Sequence, residues 1–394
     1  MKRVGIVTYR DIVDGKGRFL QAYALYNVIE KLGYKAEIID YYPSTPESGD
    51  AEILHKFKRA IKNPKRWNNY IKKLLHIRMI KIYNDDFVES RRSYECFIRK
   101  NIRITEEKYY GYEKLLKAHF EYDAYVCGSD QIWNPYFQGL DDAYYLRFAP
   151  KDKRIAYAPS IGITQVNKEF RDILREKIID IPYVSVREKS GAKIVSEIIG
   201  REVKNVLDPT LLLSQKWWYD LSEDDESRKP YILTFFFSND KYPRKIAKKI
   251  AKIKGLEIIS IPNSFADIFL KAHKEVPLGP RKFVSLFKNA SFICTESFHG
   301  VVLALIYNRP FYVFDREKTE SKSNIFSRVL DLLEMVGLED RILKNNQKLP
   351  NEIDDIDYNK VNSILEIKKK NSLDYLKEAL EKAIGGSYNV SSDI

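Results

Sequence analysis

What most restricts the fold of this chain is a repeated change of hydrophobic period. Short apolar, β-rich runs alternate with stretches whose apolar residues recur every three or four positions, and the change recurs from residue 3 to residue 336. Parallel strands need a long crossover, usually a helix, so this alternation dictates mostly parallel sheets. The first forty residues read as a strand over 3–8, a helix over 17–32 and a strand over 35–42, with Gly33 placed to end the helix. Further strands are expected over 123–127, 154–158, 183–187 and 203–207, with helices over 168–179 and 189–199.

A polar run, 222–229, stops at Pro230, and the alternation then starts afresh. Strands are expected over 231–237, 257–261, 291–295 and 310–314, and helices over 241–254, 281–288, 299–307 and 324–336. A long helical pattern, 358–384, closes at Gly385-Gly386. At roughly 150 residues per domain the length of 394 suits two or three domains. The expected division is an N-terminal α/β domain over 1–221, a second over 222–356, and a terminal helix and tail over 357–394. Two such domains facing each other leave a cleft at the carboxyl ends of their strands, where open sheets hold ligands.

Within the first domain, about 51–100 reads as a basic helical insertion, broken near Pro64. Its stretch 55–82 carries ten Lys or Arg and no acid, with Phe57, Trp67 and Tyr70 among them. A solvated helix face is the first reading and contact with an anionic membrane surface the second. No nucleic-acid motif accompanies it. The whole chain has 67 basic against 55 acidic residues, a formal charge of +12. Cys96, Cys127 and Cys294 are scattered, and the five histidines form no metal-spaced pair, so neither disulfides nor a metal are expected. Met1-Lys2-Arg3 opens no signal peptide and no run of 18 apolar residues occurs, so a cytoplasmic protein is expected, with peripheral contact at the inner face of the membrane left open.

Four loops could carry chemistry. Thr295-Glu296-Ser297-Phe298-His299-Gly300 follows an apolar strand and opens a helix, offering free N–H donors to an anion, a small Gly300 for close approach, and His299 as a proton carrier. Equally, Ser297 could only cap the helix and His299 be a packed residue. Arg187 ends a strand at the same rim and could grip a carboxylate or phosphate, or serve a structural ion pair. Gly128-Ser129-Asp130 follows another strand and could bind acceptor or phosphate, with Asp130 as base or orienter, or form a capped turn. Asp14-Gly15-Lys16-Gly17-Arg18 could cradle phosphate but matches neither a dinucleotide fingerprint nor a Walker loop. Leu207-Asp208-Pro209-Thr210 reads as a structural turn.

Several segments, in order, resemble the polysaccharide pyruvyl transferase family over most of the chain. They are Leu20-Gln21-Ala22-Tyr23-Ala24-Leu25, Gly128-Ser129-Asp130-Gln131-Ile132-Trp133-Asn134, Arg154-Ile155-Ala156-Tyr157-Ala158-Pro159-Ser160, Val186-Arg187-Glu188, Leu207-Asp208-Pro209-Thr210-Leu211-Leu212 and Glu296-Ser297-Phe298-His299-Gly300. Asn308-Arg309-Pro310-Phe311 and Ser327-Arg328 add to them. The resemblance implies two Rossmann-like domains arranged as in GT-B glycosyltransferases, with the terminal helix crossing back to the first domain. It implies transfer of the pyruvyl group of phosphoenolpyruvate onto two hydroxyls of one sugar, giving a cyclic ketal and phosphate, with no cofactor. The acceptor belongs to a cell-surface polysaccharide or its precursor, lipid-linked, nucleotide-linked or polymeric.

On that resemblance His299 is the catalytic acid or base, and Arg187, Ser297, Gly300 and Glu296 bind the donor. Gly17, Gly128, Ser129 and Asp130 fall to the acceptor or the phosphate. Gly15-Lys16-Gly17 departs from the family's Asn-Tyr-Gly, and Glu296 stands where Asp is usual. Two rival readings remain at the level of sequence. One is a GT-B-type glycosyltransferase that uses a nucleotide sugar, and the other is a non-catalytic binder of anionic glycan or nucleic acid.

Overall fold

The computed structural model describes residues 1–9, 16–43, 82–137, 140–224, 228–315, 326–350, 353 and 355–385. Most of the basic insertion, over 51–81, and the first part of the glycine loop, Asp14-Gly15, lie outside the described residues.

The first sheet is built from β1 (Arg3–Val7), β2 (Lys35–Ile38), β5 (Ala124–Cys127), β6 (Arg154–Ala156), β7 (Tyr183–Val186) and β8 (Lys204–Asn205). Its order is β2-β1-β5-β6-β7-β8, and every pairing is parallel. A second sheet contains β9 (Tyr231–Phe235), β10 (Glu257–Ser260), β11 (His273–Lys274), β12 (Phe292–Thr295), β13 (Phe311–Phe314) and β14 (Ile342–Leu343). It runs β11-β10-β9-β12-β13-β14, again all parallel. Each order reverses direction beside its first strand, between β1 and β5 and between β9 and β12. That is the crevice in which doubly wound sheets hold ligands. The alternation in the sequence therefore yields the expected pair of Rossmann-like parallel-sheet domains.

The central strands β5, β9, β12 and β13 are buried at every position, as strands covered by helices on both faces must be. Their unbroken apolar runs made them legible. The two-residue strands β11 and β14 were not anticipated; β3 (Tyr41–Tyr42) ends the expected strand 35–42, but its small parallel ladder with β4 (Tyr109–Tyr110) was not foreseen. Two residues are too few to show a period, and only pairing with a neighbour defines them.

The domains share one apolar cluster. It joins Phe19, Leu20 and Tyr23 of helix Lys16–Lys31 to Phe283 and Phe287 of helix Gly279–Lys288 and to Val301, Leu303 and Leu305 of helix Phe298–Ile306. Helix Asn84–Asn101 spans the junction: Tyr94 meets Phe19 at 5.2 Å between ring centres, Phe97 meets Tyr23 at 5.5 Å, and Ser90 Oγ donates to the Pro277 carbonyl at 2.7 Å. The described end of the insertion is thus a domain bridge with one buried face.

Helix Tyr358–Ile384 starts on the second domain, where the Tyr358 hydroxyl donates to the Arg309 carbonyl. It ends on the first, packed near β5 and β6, with Ser372 Oγ accepting from Leu207 N at 3.0 Å. The helix stops at Gly385, whose φ of 76° is the left-handed conformation that favours glycine. The terminal helix therefore crosses back as expected. Among the described residues no helix is long and apolar enough to cross a membrane.

Candidate active site

The carboxyl ends of both sheets meet at a buried cluster of charge. Strand β7 runs directly into Arg187, which is 7% exposed. One guanidinium nitrogen lies 2.5 Å from Asp208 Oδ2 and another 3.4 Å from Asp130 Oδ1. The guanidinium stacks on the Phe298 ring at 4.4 Å, a cation–π contact that crosses between the domains. Arg328, from helix Ser327–Val336, lies over the same ring at 5.6 Å and reaches Asp130 at 3.6 Å. Arg18, in the first helical turn after β1, approaches Asp130 Oδ2 at 3.4 Å.

His299 closes the cluster. It is the second residue of helix Phe298–Ile306, whose nine residues are all buried, so its ring is fixed by a helix with no freedom to roll. Nε2 lies 3.7 Å from Asp208 Oδ2, and it is buried with no hydrogen-bond partner among the described residues. The other edge of the imidazole lies against Gly17, where a Cβ would fall 2.5 Å from Nδ1. Gly17 is thus a packing partner that leaves Nε2 as the nitrogen turned toward the carboxylate.

Asp208, read from the sequence as part of a structural turn, proves central. It does cap the short helical turn Pro209–Leu211, accepting from Thr210 N at 3.0 Å and from Thr210 Oγ1. Its other oxygen faces Arg187, His299 and, at 3.3 Å, Ser129 Oγ. Burial opposes ionisation of this carboxyl, yet the neighbouring His299 and Arg187 hold it well below the usual carboxylate range. For Asp130 burial also works against the charge, and Arg187, Arg18, His299 and Arg328 together outweigh it and lower its pKa. Arg187 is kept charged in the same way, since burial is overcome by Asp208 and Asp130.

The loop after β5 is shaped for this role. Gly128 has φ of 129°, and a Cβ there would lie 1.9 Å from the Tyr157 carbonyl oxygen, so only glycine fits. Asp130 is itself left-handed at φ of 61°, a conformation that Asp tolerates better than most side chains. Ser129 Oγ donates to the Ala158 carbonyl at 2.9 Å, while its N–H donates to the buried amide oxygen of Gln21 at 2.9 Å. Gln21 Nε2 in turn donates to Thr8 Oγ1 and the Tyr9 carbonyl. Gln21 thereby ties the first helix to the ends of β1 and β5.

The structure brings His299, Arg187, Asp130, Ser129, Gly128 and Gly17 to one place. Gly300 sits at that helix start too, packed so that a Cβ would fall 2.4 Å from Thr295 Oγ1. Ser297 is buried at the helix entry but makes no side-chain cap. Glu296 points elsewhere: one carboxylate oxygen accepts from Phe237 N and Ser238 N, each at 2.7 Å, and the other from Ser238 Oγ at 2.6 Å. Its carboxylate anchors the loop after β9. Sequence reasoning missed Asp208 and the stacking role of Phe298 as site features, and had Arg18 only within a loop that could cradle phosphate. Arg328 and Gln21 stood only within segments of family resemblance, which was their one available signal.

Beside Arg187 the site adjoins a pocket lined by the apolar Leu207, Leu211, Leu332 and Met335 together with the charged Lys189, Arg328, Asp208 and Asp331.

Two parallel-sheet domains that close a charged cleft at their strand ends define a GT-B-like α/β protein. The chain belongs to the polysaccharide pyruvyl transferase family, whose model matches residues 16–318. No curated protein sequence matches it. Among solved structures it is similar to UDP-N-acetylglucosamine 2-epimerase from Rickettsia bellii, at 12% identity and a TM-score of 0.44 over 95% of this chain and 98% of that one. The Methanocaldococcus jannaschii UDP-GlcNAc 2-epimerase in complex with UDP-GlcNAc and UDP is similar at 16% identity and 0.41, covering 93% and 99%. The E. coli heptosyltransferase WaaC with ADP-2-deoxy-2-fluoro heptose is similar at 9% and 0.36, covering 93% and 99%.

Proposed function

We propose that the chain transfers the pyruvyl group of phosphoenolpyruvate onto two hydroxyls of one sugar in a cell-surface polysaccharide or its precursor. The observation that carries this reading is a buried imidazole, His299, set beside arginines at the cleft with no hydrogen-bond partner for Nε2 among the described residues. Such an acid can protonate the methylene carbon of the donor while one sugar hydroxyl adds to the adjacent carbon. Phosphate then departs, the second hydroxyl adds to the same carbon, and a cyclic ketal forms. Of the two hydroxyl protons, one balances the proton now in the new methyl group and the other leaves with phosphate.

Arg187, Arg328 and Arg18 face the carboxylate and phosphate of the donor, and the N–H groups opening helix Phe298–Ile306 add a partial positive charge. General acid catalysis by His299 contributes about 10² to 10⁴ in rate. The donor carries its own activation, so this chemistry calls for no cofactor. Phosphoenolpyruvate is a metabolite of the cell interior, which places the reaction in the cytoplasm, and a lipid-linked acceptor would bring the protein to the membrane surface.

The test is thermal unfolding with phosphoenolpyruvate beside a panel of uridine and guanosine nucleotide sugars. A ligand at about 100 times its Kd adds about 2.7 kcal/mol. Stabilisation by phosphoenolpyruvate alone is expected. Stabilisation by a nucleotide sugar alone would turn the assignment to glycosyl transfer.

A further inference from the structure

The most deeply buried charge in the cluster has no part in the transfer chemistry just described. Asp208 is 1% exposed, and its two oxygens divide between a structural and a polar partner set. Oδ1 is fixed by Thr210, through both its N–H and its hydroxyl. Oδ2 is thereby aimed at three groups from three other elements: Arg187 at the end of β7, Ser129 after β5, and His299 of the second domain. A carboxylate used only to cap the turn Pro209–Leu211 would leave Oδ2 in solvent. Here Oδ2 is the point where a first-domain loop meets the His299 imidazole.

We infer that Asp208 is the positioning residue of the site: it orients the His299 ring across the domain junction and locks Arg187 in place. The inference rests on the pyruvyl-transfer reading for its kinetic consequences, but the pairing itself does not depend on which substrate is used. The reasoning is electrostatic. An imidazolium in a dry site needs a nearby anion, and an opposite charge within about 4–6 Å favours the charged form. Among the described residues Asp208 is the carboxylate nearest Nε2, while Asp130 is engaged by Arg187, Arg18 and Arg328. His299 is therefore faced by Asp208 from the loop after β8 and by Asp130 from the loop after β5. The cations around it are Arg187, Arg18 and Arg328 from β7, the first helix and helix Ser327–Val336.

The role makes a distinct demand on experiment. In Asp208→Asn the side chain keeps its size and its acceptor for Thr210 but loses the charge. Histidine side-chain NMR spectra of the full chain, with the His299 signals assigned by their loss in His299→Gln, should show those signals displaced in Asp208→Asn and the other four histidines unmoved. The kcat with phosphoenolpyruvate should fall several-fold in Asp208→Asn with little change in KM, because the ring has lost the group that fixes its orientation. Thr210→Val, which keeps the charge and loosens its aim, should lower kcat several-fold with little change in KM.

His299 signals identical in wild type and Asp208→Asn would overturn the positioning role whatever the reaction. Were Asp208→Asn not to fold, an unchanged kcat in Thr210→Val would overturn it instead. A wild type that does not turn over phosphoenolpyruvate would sink the pyruvyl-transfer reading, and the NMR comparison would still decide the role of Asp208.

Discussion

At the scale of single residues, the site depends on close approaches that leave no spare volume. Gly17→Ala places a methyl group 2.5 Å from His299 Nδ1, so the ring must turn or the first helix must move. The expected result is a fall in kcat of about 10²-fold with the circular dichroism spectrum retained, since a misplacement near 1 Å can cost that much. His299→Ala should keep the fold and abolish phosphate release from phosphoenolpyruvate in the presence of acceptor. Asp208 and Asp130 also set the response to acid. Both carboxyls titrate lower in the folded chain than in the unfolded one, so the stability they contribute is complete above the unfolded carboxylate pKa of about 3.9 and falls as pH drops below it. Urea unfolding between pH 5 and pH 3 should show a steeper loss of stability in wild type than in Asp208→Asn.

At the scale of elements, helix Asn84–Asn101 shows how far a local pattern can be trusted. Its helical period was legible within the basic insertion, but nothing local said that Ser90, Tyr94, Phe97 and Ile98 would seat between helix Lys16–Lys31 and helix Gly279–Lys288. The Tyr94 hydroxyl is buried there without a hydrogen-bond partner among the described residues. Tyr94→Phe should therefore leave stability unchanged or raise it by about 1 kcal/mol, measured by chemical denaturation, while Tyr94→Ala should cost about 3–5 kcal/mol through the cavity it opens. Elements with a long run of one period, such as helix Lys241–Lys254 and helix Tyr358–Ile384, matched their sequence-based bounds. Strand β8 is confined to Lys204–Asn205; Val206 N still donates to the Val186 carbonyl at 3.0 Å, and the chain then turns so that Asp208 reaches Arg187.

At the scale of the whole molecule, the two domains are held by several independent ties. Asp331 Oδ2 accepts from both Ser190 N and Ser190 Oγ at 2.8 Å across the cleft mouth, and helix Tyr358–Ile384 runs from one domain to the other. Leu376 and Leu380 of that helix are fully buried in the shared apolar cluster. Leu376→Ala should cost about 2–5 kcal/mol and, if the helix couples the domains, should lower the cooperativity of unfolding as read by the denaturant m-value. The sequence by itself determined the two parallel-sheet domains, the loops that bear His299, Arg187 and Asp130, and the long terminal helix. Those follow from hydrophobic period and from the rule that parallel strands need crossovers, both of which are local or topological. Only the tertiary structure decided that Asp208 faces His299, that Phe298 carries Arg187 and Arg328, that Gly17 abuts the imidazole, and that Glu296 serves a neighbouring loop. Each of these joins residues far apart in the chain through side-chain direction, and direction is fixed by packing between elements, within a domain or across the two, which no local pattern encodes.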